Sequence, residues 1–182
     1  RLVLLNERTE ENKTAQKEIP RRMGIKSYGI LENLIYEPME RQKPGRGEVE
    51  IEVEATGLNF RDVLRALGML RNYENMEASE ARFGFECSGR IAAVGEGVEG
   101  FKVGHEVIAG LTTAGSLGSY VTVEAFRVVG KPAGMSHGEG ATIPLAFLTA
   151  CYGLERLAKL RRGESVLIHA AAGGVGLAAI QA

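Results

Sequence analysis

Glu164-Ser165-Val166-Leu167-Ile168-His169-Ala170-Ala171-Ala172-Gly173-Gly174-Val175-Gly176-Leu177-Ala178-Ala179-Ile180-Gln181-Ala182 decides the fold. It is a short apolar run, a turn of small residues and then the first turns of an apolar helix. A dinucleotide-binding corner begins in that order. Val166 to Ile168 is apolar without alternation, which predicts a parallel strand covered on both faces. Gly173 and Gly174 let the main chain approach a pyrophosphate, and Gly176 lets the helix pack closely on the strand. The helix then aims its first N–H groups and its positive dipole end at the phosphates. Ala171 stands where the first glycine of G-x-G-x-x-G would be, so an ordinary strand–turn–helix corner is the competing reading. A complete site also needs a ribose-reading side chain about 20 residues further on, beyond Ala182.

The chain has 182 residues, 45% hydrophobic and 25% charged, with a net charge of −1. That composition is ordinary for a globular protein, and the near-zero charge points to no nucleic-acid partner. No stretch reaches the roughly 18 apolar residues of a membrane helix, so no membrane partner is expected. Two cysteines, Cys87 and Cys151, make a disulfide framework improbable as a design and suit reduced thiols in the cytoplasm. Arg1 in place of Met, and an end inside a helical pattern, suggest a chain cut from something longer.

Working back from the corner, Ser136-His137-Gly138-Glu139 fits a capping box. It opens a helical region that resumes after Pro144 and runs to about Lys159, closed by Arg161-Arg162-Gly163. Short strands with glycine turns precede it at Gly89–Val94, His105–Ala109, Tyr120–Val123 and Arg127–Val129, which suggests a small, partly open barrel. Glu48 to Ala55 alternates strictly, with Val49, Ile51, Val53 and Ala55 on one face. Glu48, Glu50, Glu52 and Glu54 occupy the other and predict a solvated sheet face. Asn59 can cap a helix from Phe60 to Leu67 whose apolar residues follow helical spacing, with Gly68 as a left-handed stop. Asn72 to Arg82 is predicted to be a mobile polar loop. Tyr28 to Pro38 reads as an early strand, Arg1 to Leu5 as a short strand, and Asn6 to Arg22 as a linker. The domain organisation that follows is a linker over 1–23, a β-rich domain over 24–134 and the first part of a dinucleotide-binding domain over 135–182.

Five motifs in this order resemble one family. They are Gly57-Leu58-Asn59-Phe60-Arg61-Asp62-Val63-Leu64, Glu86-Cys87-Ser88-Gly89, Val94-Gly95-Glu96-Gly97-Val98, Phe147-Leu148-Thr149-Ala150 and Gly163 to Gly176. Together they are similar to the enoyl reductase domains of modular polyketide synthases. Those domains belong to the zinc-free, quinone-oxidoreductase side of the medium-chain dehydrogenase/reductase superfamily. The resemblance runs from about Gly47 to Ala182. It implies an α/β fold in which a GroES-like, partly open barrel precedes the start of a Rossmann domain. It implies NADPH as cofactor, and hydride transfer to the β-carbon of an α,β-unsaturated acyl thioester. It implies as partners an acyl carrier protein bearing that acyl chain on phosphopantetheine, and neighbouring synthase domains.

By resemblance, Asn59 lies near the nicotinamide and substrate, although it can also be the helix cap. Thr149 lies at the nicotinamide end, although it can also bond within its own helix. Ala171, Ala172, Gly173, Gly174, Val175 and Gly176 form the pyrophosphate loop. Some members carry a tyrosine after the Asn-Phe-Arg-Asp helix that influences α-carbon stereochemistry. Leu70 stands there, with Tyr73 three residues on, so both are candidate substrate contacts. The family's Lys and Asp proton donors fall outside this sequence, so no catalytic residue is assigned. Asp62, the only aspartate, reads as structural, paired with Arg61, Arg65 or a backbone amide.

No metal is expected. Zinc-dependent relatives use a cysteine where Asn59-Phe60 stands and a Gly-His-Glu where Gly84-Phe85-Glu86 stands. His105 reads as a lone exposed histidine in a turn, and neither His137 nor His169 has a cysteine partner in sequence. Two cysteines also exclude a four-cysteine zinc lobe. The competing functions are a free-standing quinone or alkenal reductase, reductive ring closure on a halogenated substrate, and a non-catalytic scaffold. If 182 residues were the whole molecule, no NADPH oxidation would be expected.

Overall fold

The computed structural model describes residues 19–182. The strand expected at Arg1–Leu5 and most of the expected linker lie outside them. The central element is β3, Glu48–Thr56, which pairs antiparallel with β4, Glu86–Val94. β5 is Glu106–Gly110, β6 is Tyr120–Glu124 and β7 is Val128–Gly130. They form one antiparallel sheet in the order β6-β3-β4-β5-β7. Its edge strands β6 and β7 are not paired to each other among the described residues, so the curled sheet stays open, as the sequence predicted.

The inward face of this sheet is the core. Val49, Ile51, Cys87, Ile91, Val107, Ala109, Val121, Val123 and Val128 pack there, with Val98 and Phe101 closing one side. Full burial of each large aliphatic side chain is worth about 1.5–3 kcal/mol. The alternation of β3 is nevertheless imperfect. Glu50, expected in solvent, is 2% exposed and bonded to Arg41 Nε at 3.1 Å. Register shifts lie on both sides of the strand's centre, between Glu50 and Ile51 and between Val53 and Ala55. Strict period two in sequence does not survive these irregularities.

A second, smaller core lies under a hairpin. β1, Arg21–Ile25, pairs antiparallel with β2, Leu34–Pro38. Arg21 and Arg22 therefore belong to a strand rather than to the expected linker. The early strand expected over Tyr28–Pro38 is confined to its second half, because Leu31–Asn33 forms a 3₁₀ turn. β1 continues onto the Leu117–Ser119 segment, where Met23 N–H donates to Leu117 C=O at 2.8 Å. Ile25, Ala66, Ala81, Phe83 and Leu117 form the buried centre of this layer.

The helices follow their sequence signals. α1, Phe60–Ala66, starts at Asn59, and Gly68 after it has a φ of +72°. α3, His137–Gly140, has the expected capping box, with Glu139 N–H on Ser136 Oγ at 3.2 Å and Ser136 N–H on Glu139 Oε2 at 2.8 Å. α4, Pro144–Cys151, continues as a π-helical segment over Tyr152–Leu157. α5, Gly174–Gln181, packs against α4.

Two expectations fail. Val166–Ile168 is not a strand: no described residue pairs with it, and Val166 and Leu167 are 49% and 81% exposed. A parallel strand is defined by the ladders on its two edges, and an apolar run alone does not supply them. The loop expected over Asn72–Arg82 instead starts within α2, Arg71–Glu74, and carries a 3₁₀ turn at Ala78–Glu80. The fold class itself holds: a β-rich GroES-like open barrel followed by the turn-and-helix start of a Rossmann-like unit.

The β3–β4 crossing leaves no room at Gly89. A Cβ there would lie 2.0 Å from the main-chain oxygen of Glu52. Gly89→Ala is expected to destabilise the protein by about 1–3 kcal/mol or more, measured as a lower midpoint in chemical denaturation with the slope unchanged.

Candidate coenzyme and substrate site

Asn59 sits between β3 and α1, and its side chain is committed to the fold. Its Nδ2 donates to Glu86 Oε1 at 3.1 Å, and its main-chain N–H donates to Asp62 Oδ2 at 3.0 Å. Asp62 Oδ1 accepts from Gly84 N–H at 2.7 Å. Of the partners sequence reading offered for Asp62, the structure selects backbone amides. Burial pushes the Asp62 carboxyl above its ordinary range, against the pull of those two amides.

Glu86 opens β4 and is 5% exposed. Its second oxygen, Oε2, accepts from Leu145 N–H in the first turn of α4 at 2.8 Å. Thr149, one turn on, donates its hydroxyl proton to the Leu145 carbonyl at 2.6 Å. Asn59 and Thr149, far apart in sequence, are thus joined through one carboxylate and one residue of α4. Sequence reading missed Glu86 in this role: it placed Glu86 in the Glu86-Cys87-Ser88-Gly89 motif of the resemblance and in a vacated metal-ligand motif, and gave it no function. Its signal was a carboxylate inside the apolar run Phe85-Glu86-Cys87 with no adjacent cation. Burial raises its carboxyl above the ordinary range, offset by the Leu145 and Asn59 hydrogen bonds.

The corner at Ala171–Gly176 keeps the expected turn and helix. Gly173 is the N-cap in extended conformation, and Ala170 before the loop has a φ of +51°, unusual for a residue with a Cβ. Gly176 must be glycine, since a Cβ would lie 2.4 Å from the Ala170 carbonyl oxygen. Gly174 is different: among the described residues, a Cβ there would meet nothing within 4 Å. Among those residues, then, nothing by way of space demands glycine at that position. Main chain left bare at a helix N-terminus suits an approaching phosphate. The loop therefore fits the phosphates of a dinucleotide. Ala172, Gly173, Gly174 and Val175 are exposed, while Ala171 is half-buried and Gly176 buried.

Leu70 precedes α2 and is half-buried, whereas Tyr73 on α2 is 87% exposed. Neither reaches the Asn59–Glu86–Leu145 network by a hydrogen bond. What orders α2 is Glu74, gripped by Arg65 through Nε and Nη2, both at 2.7 Å, and by Arg61 Nη2 at 2.8 Å.

His105 is exposed, its Nδ1 accepting from Lys102 N–H. His137 Nδ1 bonds Ser88 Oγ at 2.8 Å, and His169 is exposed. Among the described residues, no three His, Cys, Asp or Glu side chains cluster as a metal site would require. Burial pushes the Cys87 thiol up to about 12, so it is an inert core residue.

Residues 45–141 match the alcohol dehydrogenase GroES-like domain family, and the chain belongs to that family. It is 37% identical over 95% of its length to a mycocerosic acid synthase-like polyketide synthase of Mycobacterium tuberculosis, of which it spans 8%. It is 43% identical over 91% of its length to highly-reducing polyketide synthase 1 of Aureobasidium melanogenum, of which it spans 7%. Among solved structures, the CurK enoyl reductase is 53% identical with a TM-score of 0.87, over 90% of this chain and 51% of that one. The CurF enoyl reductase cyclopropanase from the curacin A biosynthetic pathway is 42% identical with a TM-score of 0.79, over 90% and 50%. Escherichia coli quinone oxidoreductase, solved in complex with NADPH, is 30% identical with a TM-score of 0.75, over 88% and 48%. The chain is thus similar to polyketide synthases and, among solved structures, to enoyl reductases and a quinone oxidoreductase. The synthases are multidomain proteins, and the chain spans about half the length of the solved reductases it matches.

Paired guanidinium hydrogen bonds hold the Glu74 carboxyl below its ordinary range. A carboxyl lowered on folding stabilises above its unfolded value, about 4.3 for glutamate, and that stability is lost as the pH falls through the folded value. Glu74→Gln should therefore cost about 1–3 kcal/mol at pH 7, with the deficit closing at strongly acidic pH. Denaturation curves of both proteins across that range measure it.

Proposed function

We propose that the chain forms part of an NADPH-dependent enoyl reductase acting within a polyketide synthase. The substrate is an α,β-unsaturated acyl thioester tethered through phosphopantetheine to an acyl carrier protein, and neighbouring synthase domains are the other partners. Residues 24–134 would form the substrate-binding unit and residues 135–182 the beginning of the coenzyme unit. A cytoplasmic setting goes with this reading. The observation that carries it is the Gly174 position, glycine where the fold leaves a side chain free space, at the start of α5.

The amides of Gly174, Val175 and Gly176 would hold the pyrophosphate, because the first N–H groups of a helix have no partner within it. Bound NADPH supplies the hydride, delivered to the β-carbon of the enoyl thioester. Thr149 spends its proton on Leu145, so its oxygen offers only acceptor lone pairs to a neighbouring group. Asn59 is held beside α1 with its amino group turned to Glu86. Both residues are assigned to the nicotinamide end of the site. Leu70 and Tyr73 are assigned to the acyl side, with Tyr73 free to move onto a substrate.

Likeness to the CurF cyclopropanase favours one second reading, reductive ring closure on a halogenated enoyl thioester. Likeness to quinone oxidoreductase favours a third, quinone reduction. The full-length protein should oxidise NADPH with a crotonyl thioester and not with a quinone. Preference for a quinone would overturn the main reading, and a cyclopropyl product from a γ-halogenated enoyl thioester would establish the second. Gly174→Val should weaken NADPH binding at least tenfold in a fluorescence titration while leaving the unfolding midpoint of the β-rich unit unchanged. Unchanged binding would remove the phosphate loop from the account.

A further inference from the structure

We propose that Glu86 is a positioning residue: its carboxylate holds the Asn59 carboxamide and the first turn of the Thr149 helix in one fixed relation. The inference rests on the reading that Asn59 and Thr149 face the coenzyme.

Each carboxylate oxygen has its own donor. Oε1 takes Asn59 Nδ2 at 3.1 Å and Oε2 takes Leu145 N–H at 2.8 Å. An ionised carboxylate has no hydrogen to give, so the amino side of Asn59 must face it. That fixes which way the amide lies. At the other end, Leu145 passes the constraint on through its carbonyl, which accepts from Thr149 Oγ1.

The backbone of Glu86 is pinned as well. Its carbonyl accepts from Thr56 Oγ1 at 2.8 Å and from Ser116 Oγ at 2.9 Å. Space for the carboxylate is built in, because a Cβ on Gly57 would lie 2.4 Å from Oε1. Among the described residues, the groups that act on this carboxylate are Leu145 N–H, the Asn59 amide and the like-charged Asp62, with no cation. A buried anion without a cation is costly. What it offers over a neutral amide is two acceptors at once. Glutamine could satisfy Asn59 or Leu145 but not both in their present orientations, so the tether between the two site residues would go slack.

The test is Glu86→Gln in the full-length protein, with NADPH affinity measured by fluorescence titration from pH 5 to pH 8. Far-UV circular dichroism should stay close to wild type, while the unfolding midpoint should fall, since one of the two hydrogen bonds of the carboxylate is lost, with the variant still fully folded at the titration temperature. At pH 7.5 the dissociation constant should rise at least tenfold. The gap should narrow as the pH falls, because protonation makes the wild-type side chain neutral too. Affinity within twofold of wild type at pH 7.5, or a loss equal at every pH, overturns the proposal while leaving the enoyl reductase reading standing. Wild-type protein that binds no nicotinamide coenzyme overturns that reading itself, and the inference with it. If Glu86→Gln does not fold, wild type decides alone. Its affinities for NADPH and NADH must then weaken together on acidification, since only NADPH carries a 2′-phosphate. A loss confined to NADPH overturns the proposal.

Discussion

The carboxylate of Glu86 is the point through which sheet and helices are tied. It opens β4, the strand that pairs with both β3 and β5, so its main chain is fixed by the centre of the barrel. Its side chain reaches away from that sheet to the start of α1 on one side and the start of α4 on the other. Hydrogen bonds to a charged acceptor are worth about 1.5–3 kcal/mol each, and here they partly offset what burial and the nearby Asp62 impose on this carboxylate. Gly57 is bare where the Glu86 carboxylate needs the volume, and Gly84 where the Ser116–Leu117 main chain passes.

The two halves of the structure depend on different physics. In the β-rich part, strands are held by ladders within one sheet, including partners as far apart in sequence as β3 and β6, and an apolar core rich in Val and Ile covers its inner face. Residues after Gly140 have no such sheet among the described residues. α4 and α5 support each other, and α4 is docked to the barrel through Leu145 and through Pro144, which sits over Gly110. Leu148, Leu167, Leu177 and Ile180 are correspondingly exposed. The loop proposed for the coenzyme phosphates begins α5, while Asn59 and Glu86 come from the β-rich part.

Much of the barrel was legible in the sequence because its signals are local. Alternation located β3, glycine turns located β4 to β7 within a few residues, and caps located α1 and α3. Signals failed where partners from elsewhere decide the outcome. Val166–Ile168 has the composition of a buried strand, yet a ladder needs a neighbouring strand. Arg71–Glu74 looked like loop because its stability comes from Arg61 and Arg65 on α1, not from its own residues. Glu50 looked solvated because Arg41, nine residues earlier, is what makes its burial tolerable. The resemblance names the glycine loop, Asn59 and Thr149 as candidates, and the structure links the last two through Glu86 and Leu145. The role of Glu86 could not be read in this way, since it lies in joining positions 27 residues before it and 59 after it, a relation that no local pattern encodes.

The claim on which the functional account turns is that a nicotinamide coenzyme rests its phosphates on bare main chain where α5 begins. A crystal structure of the full-length protein with NADPH bound tests this most directly. The account predicts pyrophosphate oxygens within hydrogen-bonding distance of the Gly174, Val175 and Gly176 amides, with Asn59 still turned to Glu86. Phosphates seated elsewhere, or a zinc ion bound beside Asn59 and Glu86, would contradict it.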